Sequence, residues 1–129
     1  MTTVNLLHLT HSYDGRTAAV NDLSLSIPAG KITALLGPSG CGKTTTLKII
    51  AGLLNPTSGD VHFEGESILH LPAEQRPAVM AFQNHLLFPY MSVGDNVGFG
   101  LKMRGDDKSH ISQRVKEMLE LVQLPGYQE

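Results

Sequence analysis

The octet Gly37-Pro38-Ser39-Gly40-Cys41-Gly42-Lys43-Thr44 constrains this chain more than any other feature. It matches the phosphate-binding pattern of a glycine, four residues, then Gly-Lys-Ser/Thr. The context that such a loop needs is also legible. Before it runs Ile32-Thr33-Ala34-Leu35-Leu36, an apolar stretch of strand length that predicts a strand covered on both faces. After it, Leu47, Ile49, Ile50, Leu53 and Leu54 predict a helix from Lys43, despite the β-branched Thr44-Thr45-Thr46, ended by Asn55-Pro56-Thr57-Ser58-Gly59. Glycines at 37, 40 and 42 let the backbone turn successive N–H groups inward into a nest for phosphate oxygens, and the helix points its positive end at the same place. In that arrangement Lys43 spans the β- and γ-phosphates, and the Thr44 hydroxyl offers Mg²⁺ a hard oxygen ligand.

A local device of this kind is needed, because the chain as a whole is not basic. Its 129 residues carry 10 Lys+Arg against 12 Asp+Glu, a formal net charge of −2. That balance gives no electrostatic reason to expect a nucleic-acid partner or an anionic membrane surface. The length predicts one ordinary globular domain at most. Apolar runs such as Leu47 to Leu54 fall well short of the roughly 20 residues that cross a bilayer. The N-terminal segment lacks the basic start and small-residue cleavage site of a secretory signal, so a cytoplasmic address is expected. The single Cys41 excludes an internal disulfide framework. The histidines, His8, His11, His62, His70, His85 and His110, show no zinc-type spacing and read as surface or packing residues.

Elsewhere the pattern predicts strands over Val4 to Leu9, over Leu23 to Ile27 with its alternating serines, and over Asp60 to Phe63 before a Glu64-Gly65-Glu66 turn. Ala78-Val79-Met80-Ala81-Phe82 is a second buried-strand candidate, with Gln83 at its carboxyl end. A helix rich in glycine follows from Ser92, with Asp95 as its capping pair, and a stronger one starts near Ser109. There Ile111, Val115, Met118, Leu119 and Val122 share a face.

Two further residues bear on the loop. Tyr13, beside Asp14-Gly15, has a ring that can stack on a base, though alone it reads rather as a surface or core tyrosine. Gln83 stands where ligand-contacting groups occur in open α/β sheets, and reads otherwise as a strand-end residue that bonds the next loop.

Taken together, Tyr13, the Gly37 to Thr44 loop and Gln83-Asn84-His85-Leu86-Leu87-Phe88-Pro89-Tyr90-Met91-Ser92-Val93 resemble the ATP-binding-cassette (ABC) transporter ATPases. The run from Phe82 to Asn96 is most similar to subunits of binding-protein-dependent importers of the sugar, polyamine and iron branch. The resemblance implies an α/β P-loop NTPase fold with an N-terminal antiparallel β part, and ATP with Mg²⁺ as cofactors. It implies that Tyr13 stacks on adenine and that Gly37, Pro38, Ser39, Gly40, Cys41, Gly42, Lys43, Thr44 and Thr45 form the Walker A grip. Thr44 and Gln83 would share the metal, and Lys43 and Gln83 would act in catalysis. Cys41 is then a small loop residue rather than a nucleophile. The implied partners are transmembrane permease subunits met through Phe88, Pro89 and Tyr90, a second ATPase subunit in a homodimer and, indirectly, a solute-binding protein. The implied place is peripheral, on the cytoplasmic side of the membrane. The aromatic residues after Gln83 read equally as core of the helical subdomain.

The chain shows no Leu-Ser-Gly-Gly-Gln signature, no apolar strand ending in Asp-Glu and no later switch histidine. The expectation is therefore a partial ABC ATP-binding domain, truncated after the helical subdomain and covering about the first half of the family's domain. On its own it is expected to show little turnover. The competing reading is a catalytically inactive nucleotide-binding fragment or pseudogene product, and a cassette ATPase of DNA repair or translation is disfavoured by the segment from Gln83 to Val93.

Overall fold

The computed structural model describes residues 2–84 and 86–129. His85, which belongs to the segment that carries the resemblance, lies outside the described residues. The chain divides into two compact units, Met1–Ala81 and Phe82–Glu129.

The first unit is built on a four-stranded sheet in the order β2-β1-β3-β4. Its strands are β1 (Val4–Ser12), β2 (Ala18–Ile27), β3 (Ser58–Phe63) and β4 (Glu66–Ser67), all paired antiparallel. Period-2 patterning orients them: Leu23, Leu25 and Ile27 are half-buried, while Ser24 and Ser26 face solvent. On the covered face Leu6, Leu9, Val20, Val61 and Phe63 meet Ile49 of helix α1 (Lys43–Ile50) and Ile68 to form the core. The register breaks near His8 on both sides of β1, and His8 and Asp22 each take a left-handed conformation with φ of 49°. Gly59 fits against that bulge, since a Cβ there would lie 2.4 Å from the His8 carbonyl oxygen.

Sequence spacing does not reveal how α1 ends. The Arg76 side chain, 6% exposed, donates from Nη1 to the carbonyls of Ile49 at 2.8 Å and Ile50 at 3.3 Å. From Nε it donates to Leu71 O at 2.9 Å. Burial lowers its pKa from the ordinary guanidinium value. A fixed cation thus sits at the negative end of the α1 dipole and ties down the short 3-10 turn Ala73–Gln75. Gly52, at φ +79°, leaves room for it: a Cβ there would lie 2.8 Å from Arg76 Nε.

Two expectations fail here. Neither Ile32 to Leu36 nor Ala78 to Phe82 belongs to a strand. Ile32 and Val79 are fully exposed and Leu36 nearly so. The physical reason is pairing: a strand needs a neighbour for its N–H and C=O groups, and neither run has one in the sheet β2-β1-β3-β4. The expected placing of Gln83 at the carboxyl end of a core strand falls with them, and Gln83 lies exposed in a bend.

The second unit is a helix pair, α2 (Val93–Met103) and α3 (Lys108–Leu121). Both amino ends are capped: Ser92 Oγ accepts from Asp95 N, as the sequence suggests, and Asp107 accepts from His110 N. The Asp107 carboxyl is held below the usual range by its bonds from Ser109 Oγ and His110 N–H. The glycines that weaken α2 have a packing reason. A Cβ on buried Gly98 would lie 2.9 Å from Ile111 Cγ2 and 3.1 Å from Val115 Cγ2, so its absence lets the helices close on Val115 and Leu119.

Candidate nucleotide site

Gly42 precedes α1 in the left-handed conformation, with φ of 89°, and so turns the chain from loop into helix. Any side chain at this position would collide with β2, because a Cβ would lie 2.3 Å from Ala19 O. The antiparallel sheet therefore fixes where the loop meets the helix. The first turn of α1 contains no acidic residue, which leaves its N–H groups and positive dipole end available to an anion.

Lys43 folds back over the loop it follows. Its Nζ donates to Gly37 O at 2.8 Å and to Pro38 O at 2.7 Å, and lies 3.4 Å from Cys41 Sγ. The ammonium is thus held inside the Gly37 to Gly42 turn. Thr44 is exposed and free to present its hydroxyl, whereas Thr45 and Thr46 are buried. Thr46 Oγ1 donates back to Gly42 O at 3.0 Å.

Tyr13 lies just past β1, in a loop organised by Asp14. The Asp14 carboxylate accepts from Thr17 N and Arg16 N at 2.8 Å each and from Ser12 Oγ at 3.0 Å. These bonds, Thr17's first, hold its pKa below the ordinary value. The Tyr13 hydroxyl is bonded to the Thr45 hydroxyl at 3.1 Å, and most of its ring remains exposed. Tyr13, Ser39, Gly40, Gly42, Lys43, Thr44, Thr45 and Ala19 line one cleft of about 380 Å³. Of the residues singled out in the sequence, the cleft gathers the tyrosine and most of the loop. Gln83, Phe88, Pro89 and Tyr90 belong to the second unit. There Phe88 stacks on Phe99 with ring centroids 4.4 Å apart, and Tyr90 is fully exposed.

Sequence reasoning missed two residues near these features. One is His11, buried beneath Tyr13 with its ring perpendicular to the phenol and 4.7 Å away between centroids. Among the described residues, neither of its ring nitrogens finds a hydrogen-bond partner. The other is Asn96. Its Oδ1 accepts from Phe88 N, and its Nδ2 donates to the carbonyls of Phe88, Met91 and Ser92, so one amide fastens the whole Phe88 to Ser92 turn. An asparagine that follows an aromatic-proline turn at the start of a helix is the signal that could have found it.

The family description "ABC transporter" matches residues 20–129 of this chain. The chain belongs to the ABC transporter family. Among its relatives is the Fe(3+) ions import ATP-binding protein FbpC 1 of Pectobacterium atrosepticum, 49% identical over 126 residues that cover 98% of this chain and 36% of that protein. The spermidine/putrescine import ATP-binding protein PotA of Mesorhizobium japonicum is 47% identical over 121 residues, covering 94% of this chain and 33% of the other. This ABC transporter chain thus spans about a third of the length of the curated relatives it matches. A solved structure of the ATP-binding cassette MJ0796, a dimer in a post-hydrolysis state bound to ADP and Pi, superposes with a TM-score of 0.82 at 27% identity. That match covers 97% of this chain and 60% of the other. The P-loop NTPase fold expected from the resemblance is thereby established.

Proposed function

We propose that this chain is the nucleotide-gripping portion of an importer ATPase, binding ATP with Mg²⁺ for a machine that moves a solute through a membrane permease. The observation that carries the reading is the cleft in which Lys43 Nζ, folded among the Gly37 and Pro38 carbonyls, and the Tyr13 ring line the same space. A triphosphate would lie along the loop and the amino end of α1, with Lys43 against its outer phosphates and Thr45 against the inner one. Tyr13 would take the base. Mg²⁺, when bound, supplies charge neutralisation, and Thr44 offers it an oxygen ligand. Lys43 and Gln83 are the residues to which a part in hydrolysis is assigned.

The relatives, import ATP-binding proteins for Fe(3+) ions and for spermidine/putrescine, favour an importer. The exposed aromatic segment Phe88, Pro89 and Tyr90, held by Asn96, suits a permease partner, with a second ATPase subunit and a solute-binding protein completing the system. Among the described residues no helix is long and apolar enough to cross a membrane, and a peripheral place on its cytoplasmic side accords with that partner. The choice of solute is assigned to the permease and binding protein.

A narrower reading, nucleotide binding without turnover by this chain alone, is favoured by its adjacent acids. Asp107 caps α3 and Asp106 pairs with His110 at 3.0 Å, so both are engaged structurally and neither is offered as a base for water. Equilibrium binding of Mg²⁺-ATP to the purified chain and to Lys43→Ala tests the grip. The expectation is a loss of at least tenfold in the variant, as for removal of a charged phosphate ligand worth about 1.5–3 kcal/mol. Equal binding by the two proteins overturns it. Phosphate release above the Lys43→Ala background overturns the narrower reading.

A further inference from the structure

We infer that Thr45 and His11 are positioning residues that hold the Tyr13 ring, and that the Tyr13–Thr45 hydrogen bond links the base end of the cleft to its phosphate end. The inference rests on the nucleotide reading of this cleft. A threonine hydroxyl has one donor and two acceptor sites. If the phenolic O–H donates to Thr45 Oγ1 across the observed 3.1 Å, the Thr45 O–H remains free to donate to an anionic oxygen at the first turn of α1. The two donors then run in one direction, from tyrosine to threonine to phosphate. Each polarises the next, so a filled phosphate site strengthens the hold on the ring that stacks on the base.

His11 supports the same ring from the sheet. It lies on β1 facing the core, opposite Val20, and is 7% exposed. Neither of its nitrogens is bonded among the described residues, so packing alone would be served better by leucine. What the imidazole contributes is a contact at 85° to the phenol, of the edge-on kind that aromatic pairs favour, in place of the hydrogen bonds it lacks. The ring is thus fixed at its hydroxyl by Thr45 and at its flank by His11, while 65% of the residue stays open to a ligand.

The test compares ATP with inorganic tripolyphosphate, which has the phosphates and no base, on the 129-residue chain in the presence of Mg²⁺. Tyr13→Phe keeps the ring and removes the link. It should weaken ATP about fivefold, the worth of one hydrogen bond, and tripolyphosphate by a smaller factor, because the Thr45 donor loses the polarisation that the phenol supplies. His11→Leu should weaken ATP to a similar extent and leave tripolyphosphate unchanged. Thr45→Val should weaken both ligands, and Thr45→Ser should restore both, which separates loss of the hydroxyl from misfolding. The Tyr13→Phe/Thr45→Val double variant should bind ATP no more weakly than Thr45→Val alone, because both changes break one chain of bonds. ATP binding by Tyr13→Phe at the unaltered level, or a double variant whose loss is the product of the single losses, overturns the link. Tripolyphosphate weakened equally by His11→Leu overturns the positioning role. A failure of the underlying reading looks different: Lys43→Ala would then leave both ligands bound as before.

Discussion

Replacing Arg76 with methionine asks how much of the first unit depends on one buried cation. The change keeps most of the stem and removes the guanidinium, so that Leu71 O, bonded at 2.9 Å, loses its donor and Ile49 O, bonded at 2.8 Å, keeps only the Gly52 N–H at 3.1 Å. Hydrogen bonds from a charged donor contribute about 1.5–3 kcal/mol each, so these two set an upper figure of about 3–6 kcal/mol. Against that stands the desolvation of the guanidinium, which methionine never incurs, and some recovery of water by carbonyls at a helix end. The expected net loss is about 2–3 kcal/mol. Arg76→Lys keeps the charge without the fork, and should recover about half of it. The assay is urea unfolding followed by circular dichroism, with native-state amide exchange at α1 and β1 to locate the loss. At an m-value of about 1–2 kcal/mol/M the midpoint should fall by about 1–2 M. A loss below about 0.5 kcal/mol, or a lysine variant equal to the parent, refutes the reasoning, because the carbonyls would then be satisfied without the fork. A second arm uses Gly52→Ala, whose Cβ would lie 2.8 Å from Arg76 Nε and 3.0 Å from Ala73 Cα. It should cost about 1–2 kcal/mol in the parent, because its backbone is left-handed at φ +79° and its Cβ crowds both Arg76 and Ala73.

Three further outcomes are expected. Ser92→Ala removes the cap on α2 and should destabilise the second unit by about 1 kcal/mol, read from amide exchange in α2; unaltered exchange there would count against the cap. The Asp107 carboxyl is held below its ordinary value in the folded chain, so its contribution is complete above the unfolded carboxylate range, about pH 4, and is lost as pH falls through the lowered value. Amide exchange in α3 should therefore accelerate in acid, and Asp107→Asn should flatten that dependence. Asn96→Leu should free the Phe88 to Ser92 turn and raise its cleavage rate by a protease specific for aromatic residues, with α3 protection unchanged; cleavage at the parent rate would deny the amide its fastening role.

What the sequence revealed and what it hid divide along the range of the interactions. The helix that starts at Lys43, the Ser92 cap and the alternation in β2 are local patterns whose partners lie within a turn or a pleat, and each formed where expected. Arg76 was silent because its partners are backbone carbonyls, which any residue supplies, in segments far away along the chain. His11 looked like a packing residue because its meaning comes from Tyr13 and α1 together. The runs Ile32 to Leu36 and Ala78 to Phe82 failed for the opposite reason: composition declares a buried strand, but burial and pairing are supplied by neighbours, and the sheet β2-β1-β3-β4 offers them none. Gln83, judged by the strand before it, lost its context in the same way.

The strand order also sets a timetable. β1 pairs with β2, which follows it directly, and with β3, which arrives only after the phosphate loop and α1 have been made. The hairpin of β1 and β2 is closed by a short turn and can form as soon as it leaves the ribosome. The pairing of Leu7 with Asp60 instead closes a loop of several tens of residues, an entropy cost about 2 kcal/mol greater than the hairpin's. Vectorial synthesis therefore delivers the glycine loop while the sheet is still a hairpin, yet every part that lines the cleft, from Tyr13 and Ala19 to Thr45, has by then emerged. The newborn chain can shape its cleft on β2 before β3 completes the sheet.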